Sequence, residues 1–116
     1  KGVERMLSGT AAIKAECPEM PIVTSGFSFL GVESPYVAAG CVEAKKTDLV
    51  GFGRMTLAYP EFASDVLSGQ FKSNRICMAC SKCTQLMRAG GIAGCVVRNP
   101  FYTQEYVTLR KEGKIK

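Results

Sequence analysis

The sequence predicts an α/β protein built around a parallel sheet, and three observations carry that expectation. Two short apolar runs, Pro21-Ile22-Val23-Thr24-Ser25 and Asp48-Leu49-Val50-Gly51-Phe52, have the length and composition of strands. Between them Ser34-Pro35 offers an N-cap and a first-turn proline, opening a helical pattern that closes on Lys45 and Lys46. Each run is followed by a glycine, Gly26 after the first and Gly53 after the second. Strand, helix, strand in this order is the βαβ unit of a parallel sheet. Such a sheet is covered on both faces, and two convincing strands do not complete one, so the chain reads as part of something larger.

The other elements follow in order. Residues 3 to 16 carry Val3, Met6, Leu7, Ala11, Ala12, Ile13 and Ala15 at helical spacing, interrupted by Gly9 and stopped at Cys17-Pro18. GFSFLGVE is a loop, and Val37, Ala38, Cys41 and Val42 share one face of the central helix. A short helix is expected over Pro60 to Leu67, ended by Ser68-Gly69, then a helical turn over Gln85 to Arg88 before Gly90-Gly91. Val96-Val97 reads as a short extended piece and residues 103 to 111 as a helix in a polar tail.

Composition narrows the classes of function. The 116 residues leave room for one domain with a modest core, and 47% hydrophobic with 22% charged residues is the balance of a soluble globular protein. No apolar run approaches the ~18 residues of a membrane span, and KGVERMLSGT lacks the apolar centre of a signal peptide, so a cytoplasmic protein without a membrane is expected. Residues 1 to 60 carry six basic and six acidic side chains, whereas residues 61 to 116 carry nine and four. That basic excess has no interleaved aromatic platform, which argues against nucleic acid; it coincides with a cluster of cysteines, whose thiolates need cations.

Cys77, Cys80, Cys83 and Cys95 have the spacing C-x2-C-x2-C-x11-C. A zinc ribbon offers two separated C-x2-C pairs. Three cysteines at successive x2 spacing instead wrap a loop round one bulky object, and the fourth arrives from a distant segment, which favours a [4Fe–4S] cluster. A four-thiolate zinc site, and plain core or disulfide cysteines, stay open at this point. Cys17 and Cys41 read as small buried hydrophobes. Gly26 and Gly53, at the ends of adjacent parallel strands, allow backbone N–H groups to approach a phosphate, and Arg54 adds a bidentate cation; simple βα turns are the alternative reading of both glycines.

With these features in this order, the chain resembles the NADH:flavin oxidoreductase or Old Yellow Enzyme family, and more closely its iron–sulfur branch of 2,4-dienoyl-CoA reductase and trimethylamine dehydrogenase. The matching stretches are PIVTSGF, DLVGFGRMTLAYPEF and CMACSKCTQLMRAGGIAGCVVRNP, which cover most of residues 20 to 100. The resemblance implies a fold: the last two βα units of a (β/α)8 TIM barrel plus a cysteine-rich loop. PIVTSGF becomes the seventh strand, and DLVGFGRMTLAYPEF the eighth strand with its following helix. It implies an FMN site in which Gly26, Phe27, Gly53 and Arg54 contact the phosphate, and a [4Fe–4S] cluster ligated by Cys77, Cys80, Cys83 and Cys95. The complete enzyme takes hydride from NAD(P)H and reduces a small activated alkene or similar oxidant.

On that reading, residues 1–69 are barrel units, 70–100 the cluster segment and 101–116 a tail. The first six strands, with the proton donor and the substrate pocket, lie outside these residues, so no catalytic acid or base is nominated. The isolated chain is expected to be inactive and to associate with the missing N-terminal barrel portion or with itself through its strand edges. Two functions of other classes stand beside it: a small iron–sulfur electron-transfer module, and a four-cysteine zinc-stabilised interaction module.

Overall fold

A computed structural model describes residues 1–116, which divide into two units, Lys1–Gly53 and Arg54–Lys116. Arg54, the cysteine segment and the polar tail therefore all belong to the second unit. No helix is long and apolar enough to cross a membrane.

In the first unit, helix α1 spans Gly2–Glu16 and runs unbroken through Gly9, where the pattern had suggested an interruption. One glycine costs a helix only about 1 kcal/mol, and the apolar positions on either side keep a single phase. At its end, Lys14 Nζ donates to the carbonyls of Pro18 (2.7 Å) and Met20 (3.0 Å) and pairs with Asp48 at 2.9 Å. Asp48 Oδ2 also accepts the Ile22 N–H at 2.8 Å, and this hydrogen bond, with that from Lys14 first in importance, holds its carboxyl below the usual range. The same staple fixes the sheet register. Strands β1 (Val23–Thr24) and β2 (Leu49–Val50) pair in parallel, Val23 opposite Leu49 and Thr24 opposite Val50.

Between the strands the chain makes a 3-10 segment over Phe27–Glu33, kinked at the non-helical Gly31 (φ 56°), and then helix α2, Ser34–Glu43. Ser34 is the first helical residue rather than the cap, because the 3-10 turn runs directly into α2; its hydroxyl is buried without a hydrogen-bond partner. The helix stops short of the lysines that were expected to close it, since Lys45 adopts φ 56° and turns the chain. Phe27, Ala38 and Cys41 form the core, with Leu7, Leu30, Val37, Val50 and Phe52 packed on it. The expectation of a buried Cys41 holds, while Cys17 is exposed, because it lies where α1 ends and Pro18 diverts the chain outward.

The second unit is helical. Helix α3 (Gly53–Ala58) begins at the last residue of the first unit, and α4 spans Phe62–Leu67. Tyr59 between them is fully buried against Phe62 and Phe71. Its hydroxyl donates to Asp65 Oδ2 and accepts the Lys72 N–H at 3.1 Å, while Arg75 covers the ring face at 4.7 Å. Helices α5 (Lys82–Arg88) and α6 (Pro100–Lys111) build a second cluster of Leu86, Val96, Tyr106 and Ile115. Asn99 caps α6 by accepting the Phe101 N–H at 3.0 Å, with Pro100 in the first turn. Val96 and Val97 are not extended: the Asn99 N–H reaches back to the Cys95 carbonyl at 3.1 Å, closing a turn that precedes the extended N-cap Asn99 of α6.

Candidate metal centre in the cysteine loop

Four cysteines converge on one concavity of the second unit. Cys77, Cys80, Cys83 and Cys95 line a cavity of about 20 Å³ with Arg54, Leu57 and Arg98 on its walls. That volume holds about one water, and no three of the chain's Cys, Asp or Glu side chains stand as the ligands of a single metal ion do. Cys83 is buried at the start of α5, Cys80 is exposed, and Cys77 and Cys95 are half-buried.

The loop that carries the first three cysteines is held in an uncommon backbone conformation. Ala79 and Ser81 have φ of 53° and 61°, a left-handed geometry that costs a side-chain-bearing residue about 1–2 kcal/mol. Two such residues two positions apart bend the chain tightly round the cavity. One outcome is that the Ala79 N–H lies 3.4 Å from Cys77 Sγ. Strain of this kind persists where surrounding structure enforces it, and it gathers at functional sites.

Residues outside the cysteine motif set the positions of the cysteines. The Cys77 N–H approaches Met55 Sδ at 3.3 Å, and Arg98 Nη2 donates to the Ile76 carbonyl at 3.1 Å. Cys95 follows Gly94, where an added Cβ would overlap the Tyr102 ring, so only glycine lets α6 pack this close to the fourth cysteine. Met55, Gly94 and Tyr102 were not singled out in the sequence, where they read as ordinary core and turn residues. The glycine beside a cysteine was the one available signal.

The chemistry of the donor set fits a thiolate-bound group. Four thiols, no imidazole in the whole chain, two arginines in the wall and apolar sides from Leu57, Ile76 and Val96 suit a buried polyanion with soft ligands.

The residues expected at a flavin phosphate divide between the units. Gly26, Phe27 and Gly53 lie in the first, at the end of the sheet to which both strands lead. Gly26 has φ 94°, and a Cβ on it would overlap Met6 Cε, so its backbone alone requires glycine. The Phe27 ring is wholly buried 5.6 Å from Phe52, which leaves its main chain as the part available to a ligand. An added Cβ on Gly53 would meet nothing within 4 Å. Arg54 belongs to the second unit, where its Nη1 lies 3.5 Å from Ser81 Oγ, at the outer limit of a hydrogen bond. The structure thus brings Arg54 to the cysteines.

Comparison of the chain with family models, curated proteins and solved structures returned no match.

Proposed function

We propose that the chain is the C-terminal part of an FMN- and [4Fe–4S]-dependent NAD(P)H:flavin oxidoreductase of the ene-reductase type, comprising the last two βα units of a (β/α)8 barrel and the cluster loop. The observation that carries this reading is the shared cavity of Cys77, Cys80, Cys83 and Cys95 with Arg54 and Arg98 in its wall. The parallel pairing of β1 and β2, with a glycine after each, supports the barrel assignment.

In this reading the four thiolates bind the cluster, and Arg54 and Arg98 offset its negative charge. Leu57, Ile76 and Val96 limit the access of water. Main-chain groups of Gly26, Phe27 and Gly53 are the first unit's candidates for the FMN phosphate, and the Arg54 guanidinium is the second unit's. When bound, the flavin takes up hydride from NAD(P)H, and the cluster exchanges single electrons. Substrate binding and proton donation belong to the missing N-terminal barrel portion. Val23 and Leu49, each 58% exposed on the two short strands, are where that portion or a second copy of the chain adds to the sheet.

Anaerobic reconstitution with iron and sulfide, followed by metal analysis and visible absorption, tests the cluster assignment. About four irons per chain with a broad visible band is the expected result; stoichiometric zinc without iron refutes it. Arg54→Ala in the intact enzyme is expected to weaken FMN binding about tenfold or more, the worth of a charged hydrogen-bond donor, and unchanged affinity removes the phosphate role. A second reading, a small electron-transfer module using the cluster alone, is favoured by the confinement of all four cysteines and Arg54 to residues 54–116. It predicts the visible band without any affinity for FMN.

A further inference from the structure

We propose that Arg98 is a positioning residue that clasps the segment carrying Cys77 to the segment carrying Cys95. The inference rests on the reading of the four cysteines as one metal-binding centre. The two segments lie far apart in sequence, with the whole loop from Cys77 to Cys95 between them, and holding the ends of a loop that long together costs chain entropy unless something ties them.

Each end is separately anchored. On the Cys77 side, Arg75 pairs with Glu61 at 2.8 Å and covers the Tyr59 ring, and the Cys77 N–H meets Met55 Sδ. On the Cys95 side, the Asn99 N–H closes a turn onto the Cys95 carbonyl at 3.1 Å, and Thr103 Oγ1 of α6 donates to the Val96 carbonyl at 2.6 Å. Arg98 supplies the tie between these anchors: its backbone sits three residues after Cys95, and its Nη2 donates at 3.1 Å to the carbonyl of Ile76, which immediately precedes Cys77. The planar fork of arginine can donate to that carbonyl while keeping its charge in the cavity wall, a combination a single ammonium meets less well.

The clasp has a readout that a merely charge-compensating arginine does not share. In the metal-free full chain, alkylation by iodoacetamide followed by peptide mass spectrometry reports each cysteine separately. Arg98→Met is expected to raise the reactivity of Cys77 and Cys95 relative to Cys83 about tenfold, the equilibrium worth of one hydrogen bond from a charged group. An arginine that lines the cavity without tying the two segments would leave these reactivity ratios unchanged when removed. In the reconstituted chain the half-life of bound iron is expected to fall by a similar factor, with Arg98→Lys recovering part of both effects. Unchanged or slowed alkylation of Cys77 in Arg98→Met, with wild-type circular dichroism, overturns the clasp. If Arg98→Met fails to fold, the same two readouts on Arg98→Lys decide. A wild-type chain that takes up neither iron nor zinc refutes the metal centre itself, while the alkylation ratios still judge the clasp.

Discussion

The two units use their unusual residues differently. In Lys1–Gly53 the left-handed positions sit at turns between elements: Gly26 after β1, where Met6 also approaches closely, Gly31 inside the 3-10 segment, and Lys45 just past α2. In Arg54–Lys116 the special positions are not so explained. Ala79 and Ser81 hold left-handed geometry without being glycine, and three cysteines are spent on a seven-residue stretch where core packing uses only Cys83. The first unit also has strands of two residues each, with Val23 and Leu49 facing outward, whereas the second surrounds its cysteines with a fully buried tyrosine and a separate cluster at Leu86. The left-handed residues of the first unit turn the chain between elements, whereas Ala79 and Ser81 flank Cys80 on both sides.

The sharpest way to break this contrast is to remove cysteines one at a time. Cys77→Ser and Cys95→Ser are expected to abolish stoichiometric iron retention, whereas Cys17→Ser and Cys41→Ser leave it intact. Iron analysis after anaerobic reconstitution checks this, and equal losses at Cys17 would erase the distinction between the units. Next in size are the cores. Phe27→Ala and Leu86→Ala remove side chains with no exposure, and each is expected to cost about 2–5 kcal/mol. Hydrogen exchange read by segment should show the first loosening residues 1–53 and the second residues 54–116. Exchange spreading equally over both would mean that the units do not fold separately.

Glycine replacements sharpen the comparison at a smaller scale. Gly26→Ala is expected to cost about 1–2 kcal/mol, through its positive φ, because the overlapping Met6 methyl is the mobile end of a long side chain. Gly94→Ala has no such backbone penalty; its Cβ meets the Tyr102 ring, and the overpacking is worth about 1–3 kcal/mol. Denaturant melts measure both. Only Gly94→Ala should also speed the loss of iron, since it shifts the residue next to Cys95.

What the sequence disclosed follows the range of the forces involved. The strand, helix, strand order was legible because β-branched runs, a Ser-Pro pair and glycines act within a few residues, and β1 and β2 fall inside the two runs that predicted them. The four cysteines were legible through spacing alone. Hidden from the sequence were the contacts that position them: Met55 with Cys77, Tyr102 on Gly94, Arg98 on Ile76. Each joins residues that only the folded chain makes neighbours. The Ser34 cap and the extended Val96-Val97 were misread for the same reason, since a preceding 3-10 segment and the turn ahead of α6 overrode local preference.

The smallest expected effect separates the units by pH. Asp65 is held low chiefly by the hydrogen bond from Tyr59, and Tyr59 is held high by burial and then by Asp65. A depressed carboxyl stabilises fully above its ordinary value, about 4, and loses that contribution as pH falls through the lower folded value. An elevated phenol stabilises fully below its ordinary value, about 10, and loses its contribution as pH rises through the higher folded value. The second unit therefore has an acid arm and an alkaline arm in this network. The first has only the acid arm of Asp48, held low by Lys14 and the Ile22 N–H. Tyr59→Phe keeps the ring against Phe62 and Phe71 and removes the hydroxyl, so the Tm gap between wild type and variant should be widest near neutral pH. It should narrow below about pH 4 and again above about pH 10. Asp48→Asn should show the acid narrowing alone, and an alkaline narrowing in that variant would place the titrating group outside the Tyr59 network.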